Sequence, residues 1–235
     1  GDAGCPQWQG GGDESCVAPP DPCDGDTPPG CFSAAPSTLV AVDGEQFFVR
    51  LPPAPDRDAD VIVFVPGGAG TRDTASVTYE RWLEGGEGLD NFVIVMPFAA
   101  DGNLGDETDR VTTVLDRAQA CTCNSGRAHL AGTSAGGLAA FSLMLTESDR
   151  FETLLGAPGS FRTSDPGVLG DALLGKRVFL GVGSQDAAWM GNVQDDLAAL
   201  EMLGVDVVYV EFPGEGHILS PAFDPTPFFA FWARQ

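Results

Sequence analysis

The sequence contains little positive charge and few histidines. Of its 12 Lys and Arg residues only Lys176 is a lysine, and 34 Asp and Glu residues bring the formal net charge to −22. A chain of this charge is repelled by anionic surfaces, so nucleic acids and acidic membranes are not expected partners. We interpret the acidity as a solvated surface and not as a binding site.

Long apolar runs and cofactor motifs are also missing. No stretch is long and apolar enough to span a membrane. The cysteines do not show the paired C-x-x-C spacing of a zinc site. The glycine-rich residues 67–70 lack the Gly-Lys-Ser/Thr that follows the glycines of a phosphate loop. The sequence therefore predicts no metal, no organic cofactor and no transmembrane segment.

The first 36 residues differ in composition from the rest of the chain. They are rich in Pro, Gly and Asp, show no hydrophobic periodicity and contain four of the six cysteines. We predict an N-terminal arm at residues 1–36 and one catalytic domain at residues 37–235, since that length supports a single core. The cysteines are Cys5, Cys16, Cys23, Cys31, Cys121 and Cys123.

This even number of cysteines favours disulfides and an oxidising compartment. A bond between Cys121 and Cys123 would close a small, strained ring, so we predict that each pairs with the arm. We expect a secreted or periplasmic protein whose signal peptide has been removed, with a lipid tether as a further option.

Apolar segments of strand length alternate with segments of helical spacing in the rest of the chain. This alternation predicts an α/β fold with a mostly parallel central sheet and helices on both faces. The Asp43-Gly44 dipeptide predicts a turn that joins residues 38–42 and 45–50 in a β-hairpin. The predicted strands cover residues 38–42, 45–50, 61–65, 92–96, 127–131, 152–157, 177–183 and 205–212, and the predicted helices residues 79–83, 106–120, 135–145, 193–203 and 227–233.

The central motif is Gly-Thr-Ser-Ala-Gly-Gly at residues 132–137, between a predicted strand and an apolar helix. A strand, Gly-x-Ser-x-Gly and helix form the tight turn called a nucleophile elbow, which exposes a serine hydroxyl. Gly132 and Gly136 fit positions where a Cβ would collide with the backbone. The motif alone also occurs by chance, so its context must identify Ser134 as a nucleophile.

Only two histidines are available as a base. His217 lies in a glycine-rich loop after the last predicted strand, which is where the base of such an enzyme belongs. His129 precedes the serine and lies inside a predicted strand, where we expect it to pack. We therefore assign His217 as the base that accepts the Ser134 proton.

The acid of the triad is expected between the serine and the histidine in the chain. Asp186 is the best candidate because it directly follows the buried strand at residues 177–183. Asp165 lies in a Pro/Gly-rich loop, and Asp195 and Asp196 lie on a predicted helix, so these three are weaker candidates.

Backbone N–H groups near Ser134 are candidates for an oxyanion hole. The N–H of Ala135 starts the elbow helix, and Gly68 or Ala69 would donate from the loop after the strand at residues 61–65. Trp189 follows Asp186 by three residues and either lines the substrate cleft or packs in the core.

These motifs give residues 37–235 a family resemblance. The elbow, Val-Gly-Ser-Gln-Asp at Asp186, Glu-Gly-His at His217 and Ser-Asp-Arg-Phe at residues 148–151 resemble secreted α/β-hydrolase esterases. That group contains polyhydroxybutyrate depolymerases, feruloyl esterases and acetylxylan esterases. Its members usually carry His-Gly where this chain has Pro66-Gly67. The resemblance implies an α/β-hydrolase fold that hydrolyses carboxylic esters, often in plant or microbial polymers.

The predicted function is that of a secreted, monomeric serine esterase. The segment at residues 158–176 is too short for a helical cap domain, so we expect an open cleft. Short-chain, aromatic or polymer-borne esters are the expected substrates. A peptidase or a hydroxynitrile lyase could use the same triad, and a catalytically silent surface-binding module is the alternative from another class.

Overall fold

The described part of the chain contains one sheet of eight strands. The structure is a computed structural model that describes residues 36–42, 44–53, 59–100, 108–122 and 126–233. Asp43, Cys123 and the arm residues 1–35 with their four cysteines lie outside the described residues. The strands are β1 (Val40–Ala41), β2 (Phe47–Arg50), β3 (Asp60–Val65), β4 (Phe92–Pro97), β5 (Ala128–Gly132), β6 (Thr153–Gly156), β7 (Arg177–Gly183) and β8 (Asp206–Phe212).

The strand order in the sheet is β1-β2-β4-β3-β5-β6-β7-β8. The first two strands form the predicted antiparallel hairpin, and β2 also pairs antiparallel with β4. All later neighbours pair in parallel. The carboxyl ends of β5, β7 and β8 therefore meet at one edge of the sheet, where ligands of open α/β sheets bind.

Helices cover both faces of the sheet, as predicted. They are α1 (Arg72–Trp82), α2 (Thr108–Thr122), α3 (Ala135–Thr146), α4 (Pro166–Leu173), α5 (Ala187–Leu203) and α6 (Thr226–Trp232). Side chains from α2, α3, α4 and α5 share one apolar cluster, and those from α1 and α6 share the other. None of the described helices has the length and apolar composition needed to cross a bilayer.

Strand β3 shows why residues 61–65 form a continuous apolar run. Val61, Val63 and Val65 belong to the first cluster, whereas Ile62 and Phe64 belong to the second. Successive side chains of a strand point to opposite faces, so a strand covered on both faces needs apolar residues at every position. The continuous run at residues 61–65 is therefore explained by burial on both sides.

Three helices differ from the sequence prediction. Helix α1 begins at Arg72, seven residues before the predicted helix at residues 79–83, because Thr71 caps it by accepting the Thr74 N–H. Helix α5 begins at Ala187, directly after Asp186, and not at residue 193.

The third difference lies in the segment at residues 158–176, which contains the unpredicted helix α4. The Asp165 side chain caps α4 by accepting two backbone N–H groups, and Pro166 occupies its first turn. This eight-residue helix is the only element that the segment adds between β6 and β7, so the described residues contain no cap domain there.

Candidate active site

The turn between β5 and α3 holds Ser134 in a strained backbone conformation. Its φ is 56° and its ψ is −122°, in the left-handed half of φ space that side chains other than glycine rarely adopt. The Ser134 N–H donates to the Pro158 carbonyl at 2.8 Å. This bond connects the turn to the loop after β6. The turn places Ser134 at the carboxyl end of β5, the edge of the sheet where β7 and β8 also end.

Glycines make the turn possible by their lack of a Cβ. A Cβ on Gly132 would collide with the Gly136 carbonyl oxygen, and one on Gly136 would collide with the Val65 and Pro66 carbonyl oxygens. Strand, turn, helix and the loop after β3 are therefore packed backbone against backbone. This finding confirms the reason predicted for the two glycines of the motif.

The structure brings Ser134, His217 and Asp186 together in one chain of hydrogen bonds. His217 Nε2 lies 2.9 Å from Ser134 Oγ, and His217 Nδ1 lies 2.7 Å from Asp186 Oδ2. An ionised carboxylate can only accept, so Nδ1 carries the proton and Nε2 offers its lone pair to the serine hydroxyl. The Asp186 side chain is 3% exposed and that of His217 is 39% exposed.

Two loops position the acid and the base against each other. The Gln185 N–H donates to the Glu215 carbonyl at 2.9 Å, and a Cβ on Gly183 would collide with the Glu215 and Gly216 carbonyl oxygens. The Glu215 carboxylate accepts from the Ser220 N–H at 2.6 Å and from the Ser220 hydroxyl at 2.7 Å. The loop that carries His217 is thus closed at both of its ends.

The loop after β3 lies directly against the elbow. A Cβ on Gly67 would be 3.2 Å from Ser134 Cβ, and the Gly70 N–H closes a turn by donating to the Gly67 carbonyl at 3.2 Å. The first N–H groups of α3, beginning with Ala135, have no partner within the helix. Because the Ser134 N–H already donates to Pro158, the predicted donors from Ala135 and the loop remain the candidates for an oxyanion hole.

A cavity of about 370 Å³ opens beside Ser134 and His217. Helix α1 forms one wall of it, a wall that the sequence prediction missed together with the first half of that helix. Gly68 lines the cavity, whereas Ala69 is not among its lining residues. The lining residues are Gly67, Gly68, Asp73, Thr74, Val77, Thr78, Trp82, Thr133, Ser134, His217 and Ile218.

Trp189 does not line this cavity. Its ring stacks on the His217 ring with centroids 5.8 Å apart and an angle of 20° between the planes, and it packs against the apolar cluster of α5. Of the two roles considered from the sequence, the contacts fit the packing role.

The three weaker aspartate candidates lie away from His217. Asp165 caps α4, and Asp195 is exposed on α5. Asp196 is buried and accepts the Phe161 N–H at 3.0 Å, and burial raises its pKa to about 6 in spite of hydrogen bonds from Ser160 and Phe161. Asp196 therefore ties α5 to the loop after β6.

The other histidine occupies the opposite, amino-terminal ends of β3, β5 and β6. His129 is 1% exposed; its Nδ1 lies 3.0 Å from Thr153 Oγ1, and its Nε2 lies 3.3 Å from Asp60 Oδ2. Burial alone would raise the pKa of Asp60, but hydrogen bonds from His129 and Arg127 lower it to about 2. His129 is thus the packed strand residue that we expected.

No protein-family model matches this sequence, and no curated protein has a matching sequence. Solved structures do match. A mutant of the feruloyl esterase module from Clostridium thermocellum complexed with sinapinate superposes with a TM-score of 0.61 at 14% identity, over 81% of this chain and 85% of that chain.

Two further solved structures give similar results. The S-formylglutathione hydrolase from Staphylococcus aureus matches with a TM-score of 0.56 at 17% identity, over 79% of this chain and 84% of that chain. Est1E from Butyrivibrio proteoclasticus matches with a TM-score of 0.53 at 17% identity, over 77% and 89%. At these identities the likeness concerns the fold, and the chain has the α/β-hydrolase fold with a mostly parallel sheet.

Proposed function

We propose that the protein is a serine hydrolase of carboxylic esters in which Ser134 is the nucleophile, His217 the base and Asp186 the acid. One observation carries this proposal: a strained serine at the mouth of a cavity begins an unbroken chain of hydrogen bonds to a histidine and a buried carboxylate. This arrangement activates a serine hydroxyl on many unrelated folds.

In the proposed reaction, Ser134 Oγ attacks the ester carbonyl carbon while His217 Nε2 takes the hydroxyl proton. The same proton then passes to the alcohol oxygen as the carbon–oxygen bond breaks, which leaves an acyl group on Ser134. Water, deprotonated by His217, hydrolyses that acyl group and restores the serine. Asp186 holds the imidazole with Nδ1 protonated and stabilises its positive charge in both halves of the reaction.

The negative charge that develops on the carbonyl oxygen needs donors beside Ser134. We assign this role to the N–H of Ala135, at the positive end of α3, and to an N–H of the loop after β3, from Gly68 or Ala69. The contact between Gly67 and the elbow supports this assignment, since it brings the loop to the reacting serine. One such donor typically stabilises the transition state by about 3 kcal/mol.

The names of the structural relatives favour esters over peptides as substrates. They are a feruloyl esterase module, an S-formylglutathione hydrolase and the protein Est1E. We therefore propose short-chain or aromatic esters as substrates. Secretion, polymer-borne esters, a monomeric state and disulfides to the arm remain predictions from the sequence.

A fluorophosphonate probe tests the proposal directly, because it reacts with activated serines and not with ordinary ones. We expect stoichiometric labelling of the peptide that contains Ser134, loss of ester hydrolysis on labelling, and no labelling of Ser134→Ala. Ser184→Ala is the matched control, since Ser184 is exposed and bonded to the Gly214 N–H. Absence of labelling would favour a silent binding module, and labelling with cleavage of amides alone would favour a peptidase.

A further inference from the structure

The wall that α1 contributes to the cavity has a composition that the proposed function does not require. Thr74, Val77, Thr78 and Trp82 lie at helical spacing along one face of α1. Ile218, which follows His217, also lines the cavity and is 66% exposed, and Val77 is 49% exposed. Exposed apolar side chains at a cavity rim are what an apolar ligand would cover.

The threonine and tryptophan side chains that line the cavity already donate their hydrogen bonds within the protein. Four side-chain donors in the lining each donate to a backbone carbonyl oxygen, so they present methyl groups and ring carbons to the cavity. The bonds run from Thr74 Oγ1 to the Thr71 carbonyl at 2.8 Å, from Thr78 Oγ1 to the Thr74 carbonyl at 2.7 Å, and from Trp82 Nε1 and Thr133 Oγ1 to the Ala157 carbonyl, both at 2.7 Å. A carboxylate, phosphate or carbonyl group placed against this wall would lose its hydration without gaining a donor, which is costly.

The charge of the lining residues also favours a ligand without negative charge. Asp73 is the one carboxylate among the lining residues, and none of them is a lysine or an arginine. Asp73 is exposed, so its repulsion of an anion is modest and falls as salt is added. The volume of about 370 Å³ lies near the lower end of the range of small-ligand pockets, about 300–1,000 Å³.

We infer that this cavity is a specificity pocket for one compact, uncharged, apolar group of the ester, such as a single aryl ring or a branched alkyl group. Helix α1 supplies the binding surface, and Asp73 selects against anionic substrates. The inference rests on the proposed function, because the pocket acts on the ester that Ser134 attacks. It names the class of substrate: neutral esters with one apolar group, in preference to hemiesters and phosphorylated esters.

Val77→Trp tests the pocket by filling its rim. Val168→Trp is the matched control, because Val168 is a similarly exposed valine, at 43%, on α4, which packs on the opposite face of the sheet. The readout is the ratio of kcat/KM for a bulky over a small ester in two panels: p-nitrophenyl benzoate over p-nitrophenyl acetate, and benzyl acetate over ethyl acetate. We expect Val77→Trp to lower the ratio in at least one panel by about tenfold or more, and Val168→Trp to lower neither. Ratios unchanged in both panels would overturn the inference.

Asp73→Asn tests the charge selection. We expect the ratio of kcat/KM for mono-p-nitrophenyl succinate over p-nitrophenyl butyrate to rise about two- to fivefold at low salt, and the rise to shrink at high salt. Asp171→Asn removes the same charge from an exposed site on α4 and should leave the ratio unchanged. Equal rises in both variants would mean that net charge, and not Asp73, excludes anions.

Binding to an inactive variant separates the inference from the proposed function. Calorimetry should show that Ser134→Ala binds ethyl cinnamate and that Ser134→Ala with Val77→Trp does not. If this binding is observed and the wild-type protein hydrolyses no ester, the proposed function is refuted and the pocket is retained. Hydrolysis with flat ratios and no such binding would refute the pocket alone.

Discussion

The two ends of the central strands carry the same three kinds of chemical group in different surroundings. At the carboxyl ends, a serine hydroxyl, an imidazole and a buried carboxylate are joined by bonds of 2.9 and 2.7 Å. At the amino ends, Thr153, His129 and Asp60 are joined by contacts of 3.0 and 3.3 Å. The first histidine side chain is 39% exposed, and the second is 2% exposed.

The surroundings of the two trios lead us to propose different roles for them. Ser134 has a strained backbone, a cavity in front of it and helical N–H groups beside it. Thr153 has ordinary strand geometry. The Asp60 carboxylate forms an ion pair with the Arg127 guanidinium, which lies 2.7 Å away. We therefore propose that the trio at the carboxyl ends takes part in catalysis and that the trio at the amino ends holds three strands in register.

Replacing the serine or the histidine of the carboxyl-end trio should have the largest effect. Ser134→Ala and His217→Ala should each lower kcat for ester hydrolysis by about 10⁵-fold or more, because nucleophile and base act as one unit. Steady-state kinetics measure the loss, and thermal unfolding should show midpoints close to that of the wild type. If a variant keeps a tenth of the wild-type kcat, the replaced residue has no part in the reaction.

Asp186→Asn should have the next largest effect. The asparagine amide can donate to Nδ1, which would move the imidazole proton to Nε2 and leave no base for the serine. We expect kcat to fall about 10⁴-fold with little change in KM. Asp195→Asn, an exposed change on α5, serves as the control and should keep full activity.

His129→Ala should reverse the pattern of His217→Ala. The substitution leaves a cavity and removes a buried hydrogen-bond partner of Thr153 and Asp60. We therefore expect the free energy of unfolding to fall by about 2–4 kcal/mol. Urea denaturation measures this loss, while kcat per folded molecule should stay within about twofold of the wild type. Loss of activity without loss of stability would mean that the amino ends of the strands take part in the function.

Asp196→Asn should have the smallest effect, and one that depends on pH. Because burial raises the pKa of Asp196 from 3.8 to about 6, the folded state binds this proton more tightly than the unfolded state does. The ionised group therefore costs stability, a cost that appears as pH rises from about 4 to about 6 and then stays. Asparagine can still accept the Phe161 N–H, so its unfolding midpoint should exceed that of the wild type by several degrees at pH 7 and by much less at pH 4. A gain that does not vary with pH would contradict this assignment.

The sequence predicts the sheet and the trio at its carboxyl ends well because both leave strong local patterns. The run at residues 61–65 is typical of a strand buried on two faces, and glycines around Ser134 mark a turn with no room for side chains. Chain order then limits the base to His217, since the other histidine precedes the serine.

The cavity could not be predicted because its wall lies in the part of α1 that lacks an apolar stripe. Residues 72–77 are mostly polar and small, so hydrophobic periodicity does not reveal the helix there. Thr71 and Asp165 were available as signals, since both precede a helix as capping residues. The sequence led us to interpret the second of them as part of a Pro/Gly-rich loop. It left two roles open for Trp189, because only tertiary contacts decide whether that side chain lines the cavity or packs in the core.

The separation between the reaction centre and the α1 wall has an evolutionary consequence. The three side chains of the proposed triad come from loops after β5, β7 and β8, whereas the α1 wall of the cavity comes from a helix that contributes none of them. Substitutions on α1 can therefore change which ester enters while the chemistry is preserved, and selection can act on the two properties separately. Libraries of variants confined to Thr74, Val77 and Thr78 would be the natural starting point for directed evolution of new substrate preferences.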